Sequence, residues 1–162
     1  MKQFNKIYEE NKKLDDIFHN LYDNRSKGTI EKNIVELLVE IGELANETRC
    51  FKYWSNKRPS AKDVLLDEYA DCFQMSLCFC NIKDIDLNDT FPTIDEKDMV
   101  AQFKQLYVTV SSLDINLDKD TLKLILSNLV NLGKLLNFSD DDIINGCLKK
   151  IERNKTRFET GF

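Results

Sequence analysis

Helix breakers are scarce in this sequence: 162 residues contain 5 Gly and 2 Pro. Few positions can interrupt a helix, so an all-α protein with short connections is expected. Histidine occurs once, at His19, and the five cysteines (Cys50, Cys72, Cys78, Cys80, Cys147) form no C-x-x-C pair. That poverty argues against a Cys/His zinc site. A basic excess is missing as well, with 28 acids against 23 bases and a net charge of −5. Proteins that wrap nucleic acid draw most of their affinity from Lys and Arg on phosphates, so no nucleic-acid partner is expected. No apolar run approaches ~18 residues and the N-terminus carries no apolar signal region, so no membrane association is expected. The reading is a cytoplasmic protein whose cysteines are reduced and mostly buried. Its length fits one domain over residues 1–162 with a sizeable core.

What is present reads as six helices. The first spans about Gln3 to Tyr22 on the apolar period of Phe4, Ile7, Tyr8, Leu14, Ile17, Phe18 and Leu21. A turn over Asp23–Gly28 follows, and Thr29 is the expected N-cap of a second helix reaching about Cys50. Asn56 to Pro59 breaks the chain, and Ser60 is the expected cap of a third helix running to about Asn81. Lys83 to Thr93 is polar, holds Pro92 and reads as a loop. A fourth helix spans about Asp95 to Leu113, although its β-branched patch at Tyr107–Val110 is a weak helix former. A fifth covers Lys119 to Leu136. Ser139 caps a sixth that ends near Arg157, with Asp140, Asp141 and Asp142 at its positive end.

The second helix carries an anomaly. At about 100° per residue, Glu36, Glu40, Glu43 and Glu47 fall on one stripe. Like charges at these spacings repel by a few tenths of a kcal/mol each. A solvated face is the ordinary fate of such a run. Here, however, Val35 and Val39 lie on one side of the stripe and Leu37 and Leu44 on the other, which suggests apolar walls on both flanks. The third helix repeats the pattern: Glu68 and Asp71 share a stripe with Cys72, Met75 and Phe79. Two helices joined by a short connection are antiparallel neighbours, so these carboxylates can converge. A set of hard oxygens selects Mg²⁺, Mn²⁺ or Ca²⁺ over zinc.

The pair Glu40-Ile41-Gly42-Glu43 followed by Glu68-Tyr69-Ala70-Asp71 resembles the E-x-x-E…E-x-x-D pattern of the all-α NTP pyrophosphatases, the MazG-like superfamily. The string from Leu38 to Ser55, with Trp54 near its end, is more similar still to the dimeric dUTPases of Gram-positive bacteria and their phages. So are Leu132–Ser139 and the tail Lys150–Phe162, so the resemblance covers nearly the whole chain. It implies a helical bundle with a four-helix core, a homodimer, and Mg²⁺-dependent hydrolysis of dUTP to dUMP and pyrophosphate. A repressor is an implied protein partner if the chain is phage-encoded. By position, Glu40, Glu43, Glu68 and Asp71 would hold Mg²⁺, and Glu40 would activate the attacking water, with Glu43 its rival. Trp54 and Asn154 would line the nucleoside pocket together with Asn11 and Gln74, while Lys150 and Arg157 would meet phosphates. Asn11 stands where related sequences usually carry Gln, Gln74 where they often carry His, and the tail ends Gly161-Phe162 instead of Gly-Tyr. Both amides still donate and accept hydrogen bonds.

The residues support those roles on their own terms to different degrees. Lys150, Asn154 and Arg157 share one helix face at i, i+4 and i+7, which suits a phosphate-bearing ligand. It is equally what a solvated helix C-terminus favours. Trp54 can stack on a base, although packing is the commoner fate of a tryptophan. Lys52 and Lys57 are further cations near the same segment. His19 reads as structural or exposed. The same machinery could serve another triphosphate, such as dCTP, or the chain could be a non-enzymatic interaction module. A carboxylate-bridged di-iron bundle is excluded by the absence of Glu-x-x-His motifs.

Overall fold

In a computed structural model, the protein is described over residues 1–22 and 26–160, apart from the side chains of Lys27 and Glu159. Six α-helices are present and no strand occurs among the described residues: α1 (Asn5–Tyr22), preceded by a 3₁₀ turn over Lys2–Phe4, α2 (Lys27–Thr48), α3 (Lys62–Ile82), α4 (Met99–Ser111), α5 (Lys119–Leu135) and α6 (Asp140–Thr160). The all-α expectation holds. Within the turn expected over residues 23–28, residues 23–25 lie outside the described set, as do the last two residues of the tail.

Helix α3 is the hub. It packs against α1, α2, α5 and α6, and α4 packs against α2 and α5. The sequence of α3 explains that position: its buried residues Leu65, Tyr69, Ala70, Cys72, Phe73, Ser76, Leu77, Phe79 and Cys80 cover about half of its circumference, and beyond the first turn the other half, which carries Asp67, Glu68 and Asp71, is itself partly covered. A helix with so wide a buried face must be packed by several others. The β-branched patch of α4 stays helical to Ser111 because Leu106 and Val110 are fully buried, and packing overrides weak propensity. No described helix is long and apolar enough to cross a membrane.

Several helix starts differ from expectation for identifiable reasons. Ser26, not Thr29, caps α2: its hydroxyl accepts the backbone N–H of Thr29. Ser60 does not cap α3, which starts after Ala61 without a side-chain cap. The Ser60 hydroxyl instead donates to the carboxylate of Glu47, and its backbone N–H donates to Glu47 O at 3.0 Å. Asp98 takes the cap of α4 and shortens that helix at its start. Ser139 does cap α6, in reciprocal bonds with Asp142 at 2.8 and 3.1 Å. The connection from α2 to α3 is folded on itself. Arg49 ends α2 with φ 59°, and its guanidinium donates to Ser55 Oγ at 2.7 Å and Lys57 O at 3.3 Å.

Gly133, inside α5, is one of the places where the hub meets a neighbour closely. A Cβ there would stand 2.9 Å from Tyr69 Oη and 3.1 Å from Ile143 Cδ1. The Tyr69 hydroxyl donates to Leu129 O at 2.8 Å, so the ring is fixed and cannot yield cheaply. Alanine favours a helix interior by about 1 kcal/mol, whereas overpacking costs about 1–3 kcal/mol. Gly133→Ala is therefore expected to lower unfolding free energy by up to about 2 kcal/mol in urea titration. A gain of about 1 kcal/mol, the full helix preference of alanine, would show that the α3–α5 contact is looser than described.

Candidate active site

The antiparallel packing of α2 on α3 brings three of the acidic residues together. Glu40, Glu68 and Asp71 each offer a carboxylate oxygen, and these atoms lie within 4.8 Å of one another. All three side chains are half-buried. Leu37, Ile41 and Leu44 are fully buried on the inner side of α2, which turns the acidic stripe toward α3. The opposite wall is not as expected. Val35 and Val39 are 60% and 53% exposed, so only the Leu37–Leu44 flank belongs to the core.

The trio is electrostatically strained. Burial first, then the charges of Asp71, Glu43, Glu36 and Glu68, push the Glu40 carboxyl up to about 7. Burial and the charges of Asp71 and Glu43 raise Glu68. Burial also raises Asp71, although Lys150 hydrogen-bonds to it and opposes the shift. Glu36 is raised by burial and by Asp71. Glu43 contributes its field but is exposed and stands outside the close trio. Glu47, the last acid of the stripe, is held by Ser60. Three oxygen donors at this spacing, with no imidazole and no thiolate among them, form a candidate site for a hard divalent cation.

Lys150 comes to this site from α6, but not as a free phosphate ligand. It is nearly buried, and its ammonium is bonded to Asp71 and lies 3.2 Å from Asp67. Arg153 completes the network through two bonds from Nη2 to the oxygens of Asp67, at 2.7 and 2.9 Å. Asp67 is lowered overall: burial pushes it up, but the bonds and charges of Arg153 and Lys150 outweigh that. Asp67 and Arg153 escaped the sequence reading. The available signal was the position of Asp67 one turn before Asp71, on the same face.

Beside the trio lies an open cavity of about 160 Å³ whose walls include Glu40, Asp71, Gln74 and Asn154 and the rings of Phe18 and Phe158. The two rings stand 5.2 Å apart. Asn154 Nδ2 reaches Gln74 Oε1 at 3.4 Å. Asn33 and Glu36 also face it, two turns and one turn before Glu40 on α2; Glu36 was on the stripe already, and Asn33 could have been read from it. Apolar walls with a few converging amides are the usual make-up of a small-molecule site.

Three expected pocket residues are placed elsewhere. Asn11 is fully buried behind the cavity and donates to Gln74 O at 3.4 Å and Cys78 Sγ at 3.3 Å. It supports the Gln74 backbone and does not line the cavity. Trp54 is 66% exposed and packs on Tyr53, with ring centres 5.1 Å apart; the fold of the α2–α3 connection keeps it out of the cavity. Arg157 is exposed on α6, one turn beyond Asn154. His19 is half-buried in the last turn of α1, and Cys72, Cys80 and Cys147 are buried free thiols.

The sequence matches a protein-family model described as dUTPase over residues 3–162. No curated protein matches it.

The raised Glu40 carboxyl has a consequence for stability. A carboxyl whose folded-state pKa lies above its unfolded value binds more protons when folded, so its contribution is lost as pH rises through the folded value. Without divalent cations, thermal stability is expected to fall as pH rises from about 4.5 to about 7. Glu40→Gln should flatten that slope in thermal melts recorded with a chelator. A slope unchanged by the substitution would remove Glu40 as its source.

Proposed function

The chain belongs to the dUTPase family, and on that premise we propose that the carboxylates between α2 and α3 form its catalytic centre. The protein is a dUTP diphosphatase, hydrolysing dUTP to dUMP and pyrophosphate. The observation that carries the placement is the approach of Glu40, Glu68 and Asp71 to within 4.8 Å beside a cavity walled by amides and aromatic rings.

The cofactor proposed is Mg²⁺, held by Glu40, Glu68 and Asp71, with Glu43 completing the set from the next turn of the same stripe. The half-buried hard-oxygen trio supports this ion over zinc, and carboxyls raised first by burial and then by one another's charge are ones that a cation would stabilise. When bound, such a cation neutralises charge on the triphosphate and acidifies water. The chain's own residues do the rest. Glu40 takes the proton of the attacking water, because its half-buried carboxylate stands both in the trio and on the wall of the cavity, within reach of a water held there. Glu43 is the rival, and its exposure fits it less well. Water adds at the α-phosphorus, the bond to the bridging oxygen breaks, and pyrophosphate departs. Gln74 and Asn154 present amide edges to the base, with Asn11 bracing Gln74 from behind. Phe18 and Phe158 cover its faces. Lys150 leaves Asp71 to meet the phosphates, joined by Arg157 from the same face of α6. Trp54 joins the nucleoside pocket only if the connection that bears it moves or a second subunit presents it.

A homodimer is the second part of the proposal. Val35 and Val39, one turn apart, and the aromatic pair Tyr53 and Trp54 leave apolar surface uncovered, which soluble proteins tend to reserve for partners. A second copy would cover it, and a repressor, in a phage-borne chain, would compete for the same surface. Cytoplasmic location accords with the five free thiols.

Purified protein with Mg²⁺ is expected to release pyrophosphate from dUTP much faster than from dTTP, dCTP or UTP. Glu40→Gln should lower kcat by about 100-fold or more while helical content is kept. Equal rates on all four nucleotides would remove the base and sugar selectivity, and full activity of the variant would remove Glu40 from its role. Val39→Lys is expected to convert a dimer to monomers in sedimentation equilibrium; a monomeric wild type, or a dimeric variant, would exclude this surface as the interface.

A further inference from the structure

Lys150 is held by two carboxylates, and only one of them belongs to the acidic trio. Its ammonium is bonded to Asp71 and lies 3.2 Å from Asp67 Oδ2. Asp67 stands one turn before Asp71 on α3, so both acids face α6. Their side chains are 41% and 19% exposed, which makes Asp67 the outer of the two. Lys150 itself is 10% exposed. A cation so enclosed needs an anion, because an unpaired buried charge is strongly disfavoured. Whatever engages Asp71 therefore creates a need for another seat for the ammonium.

Asp67 has the properties of that seat. Arg153, one turn after Lys150 on α6, donates from Nη2 to both Asp67 oxygens at 2.7 and 2.9 Å. The carboxylate is thereby fixed in orientation through a single nitrogen. A carboxylate accepts at about four lone-pair sites, so Asp67 keeps room for Lys150 beside Arg153. Arg153 Nε is buried without a partner, so the guanidinium has given up hydration in reaching Asp67. Asp67 supplies none of the trio's oxygens, and an ammonium seated on it leaves Glu40, Glu68 and Asp71 to a cation.

On the premise of the metal centre proposed above, we propose that Asp67, braced by Arg153, is a positioning residue: it receives the Lys150 ammonium when a cation engages Asp71, and holds it at the rim of the site for the phosphates. Lys150 passes between two neighbouring carboxylates and does not go out into solvent. Asp67 acts through Lys150. A plain cross-link between α3 and α6 would instead leave Asp67 without influence on how the cation and the ammonium share Asp71.

The test has two parts, both on the full chain without nucleotide. In the first, Mn²⁺ binding is followed by loss of the free-ion EPR signal at constant ionic strength. Asp67→Asn is expected to weaken binding about tenfold, the effect of losing a group that orients a metal site from outside it. The ammonium then has Asp71 alone and opposes the cation there. In a Lys150→Met background the same substitution should change affinity by less than about threefold, the worth of a solvent-screened charge. A lost cross-link or a lost charge would act alike in both backgrounds. The second part needs no substitution: the Lys150 ammonium of the wild type is followed by NMR as Mg²⁺ is added. Its signal should shift and persist at saturation, because a seated ammonium exchanges slowly with water. A chain that binds neither ion would remove the metal centre and this role with it. A chain that binds both, yet responds equally to Asp67→Asn in the two backgrounds or loses the Lys150 signal at saturation, would overturn the role of Asp67 alone.

Discussion

Everything at the proposed catalytic centre depends on holding like charges together against their repulsion. Glu40, Glu68 and Asp71 could separate by moving into solvent, but the helices that carry them cannot part. Leu37, Ile41 and Leu44 of α2 and Tyr69, Cys72 and Phe73 of α3 are all buried in the core. Burial of such side chains is worth about 1.5–3 kcal/mol each, and several lie within a turn of each acid. Their sum exceeds the few tenths of a kcal/mol of each like-charge contact along a helix. The hydrophobic contact between α2 and α3 thus sets where the carboxylates stand, and burial, ahead of neighbouring charge, raises the carboxyls of Glu40, Glu68 and Asp71.

Relief of that strain is uneven, and the unevenness separates residues of different use. Asp67 has Arg153, whose Nη2 donates to both of its oxygens, and a lysine, and its carboxyl is lowered. Asp71 has Lys150 alone and remains raised. Glu40 has no basic partner among the causes of its shift. Along the face that leads from Asp67 to Glu40, compensation by the protein runs out where an external cation would supply it.

The helical class and the acidic stripes were legible because they depend on spacing within one helix. Glu40 and Glu43, Glu68 and Asp71 are each three residues apart, and helical geometry alone puts each pair on a face. The partners of those acids were not legible. Lys150 and Arg153 stand about eighty residues from Asp67, and their pairing is decided by how α6 lies on α3. Short polar residues near helix ends were equally ambiguous: Ser26 and Thr29 are both good caps, and Ser60 found a better acceptor in Glu47. The Val35–Val39 flank read as buried because period shows that a face is apolar without showing what covers it. Trp54 was matched through the string around it. Its position depends on the Arg49 turn and its bonds to Ser55 and Lys57, which no periodicity reveals.

Lys150 on Asp71 also bears on how the polypeptide is made. In proteins whose structural metal supplies the folding energy, an ion must be present before the chain can hold its shape. Here an ammonium from α6 already sits on Asp71, and Arg153 secures the neighbouring Asp67. If the proposed Mg²⁺ dependence holds, nascent protein can mature before it is loaded; scarcity of the ion would then idle finished molecules without unfolding them, and returning supply would revive the existing pool without new synthesis.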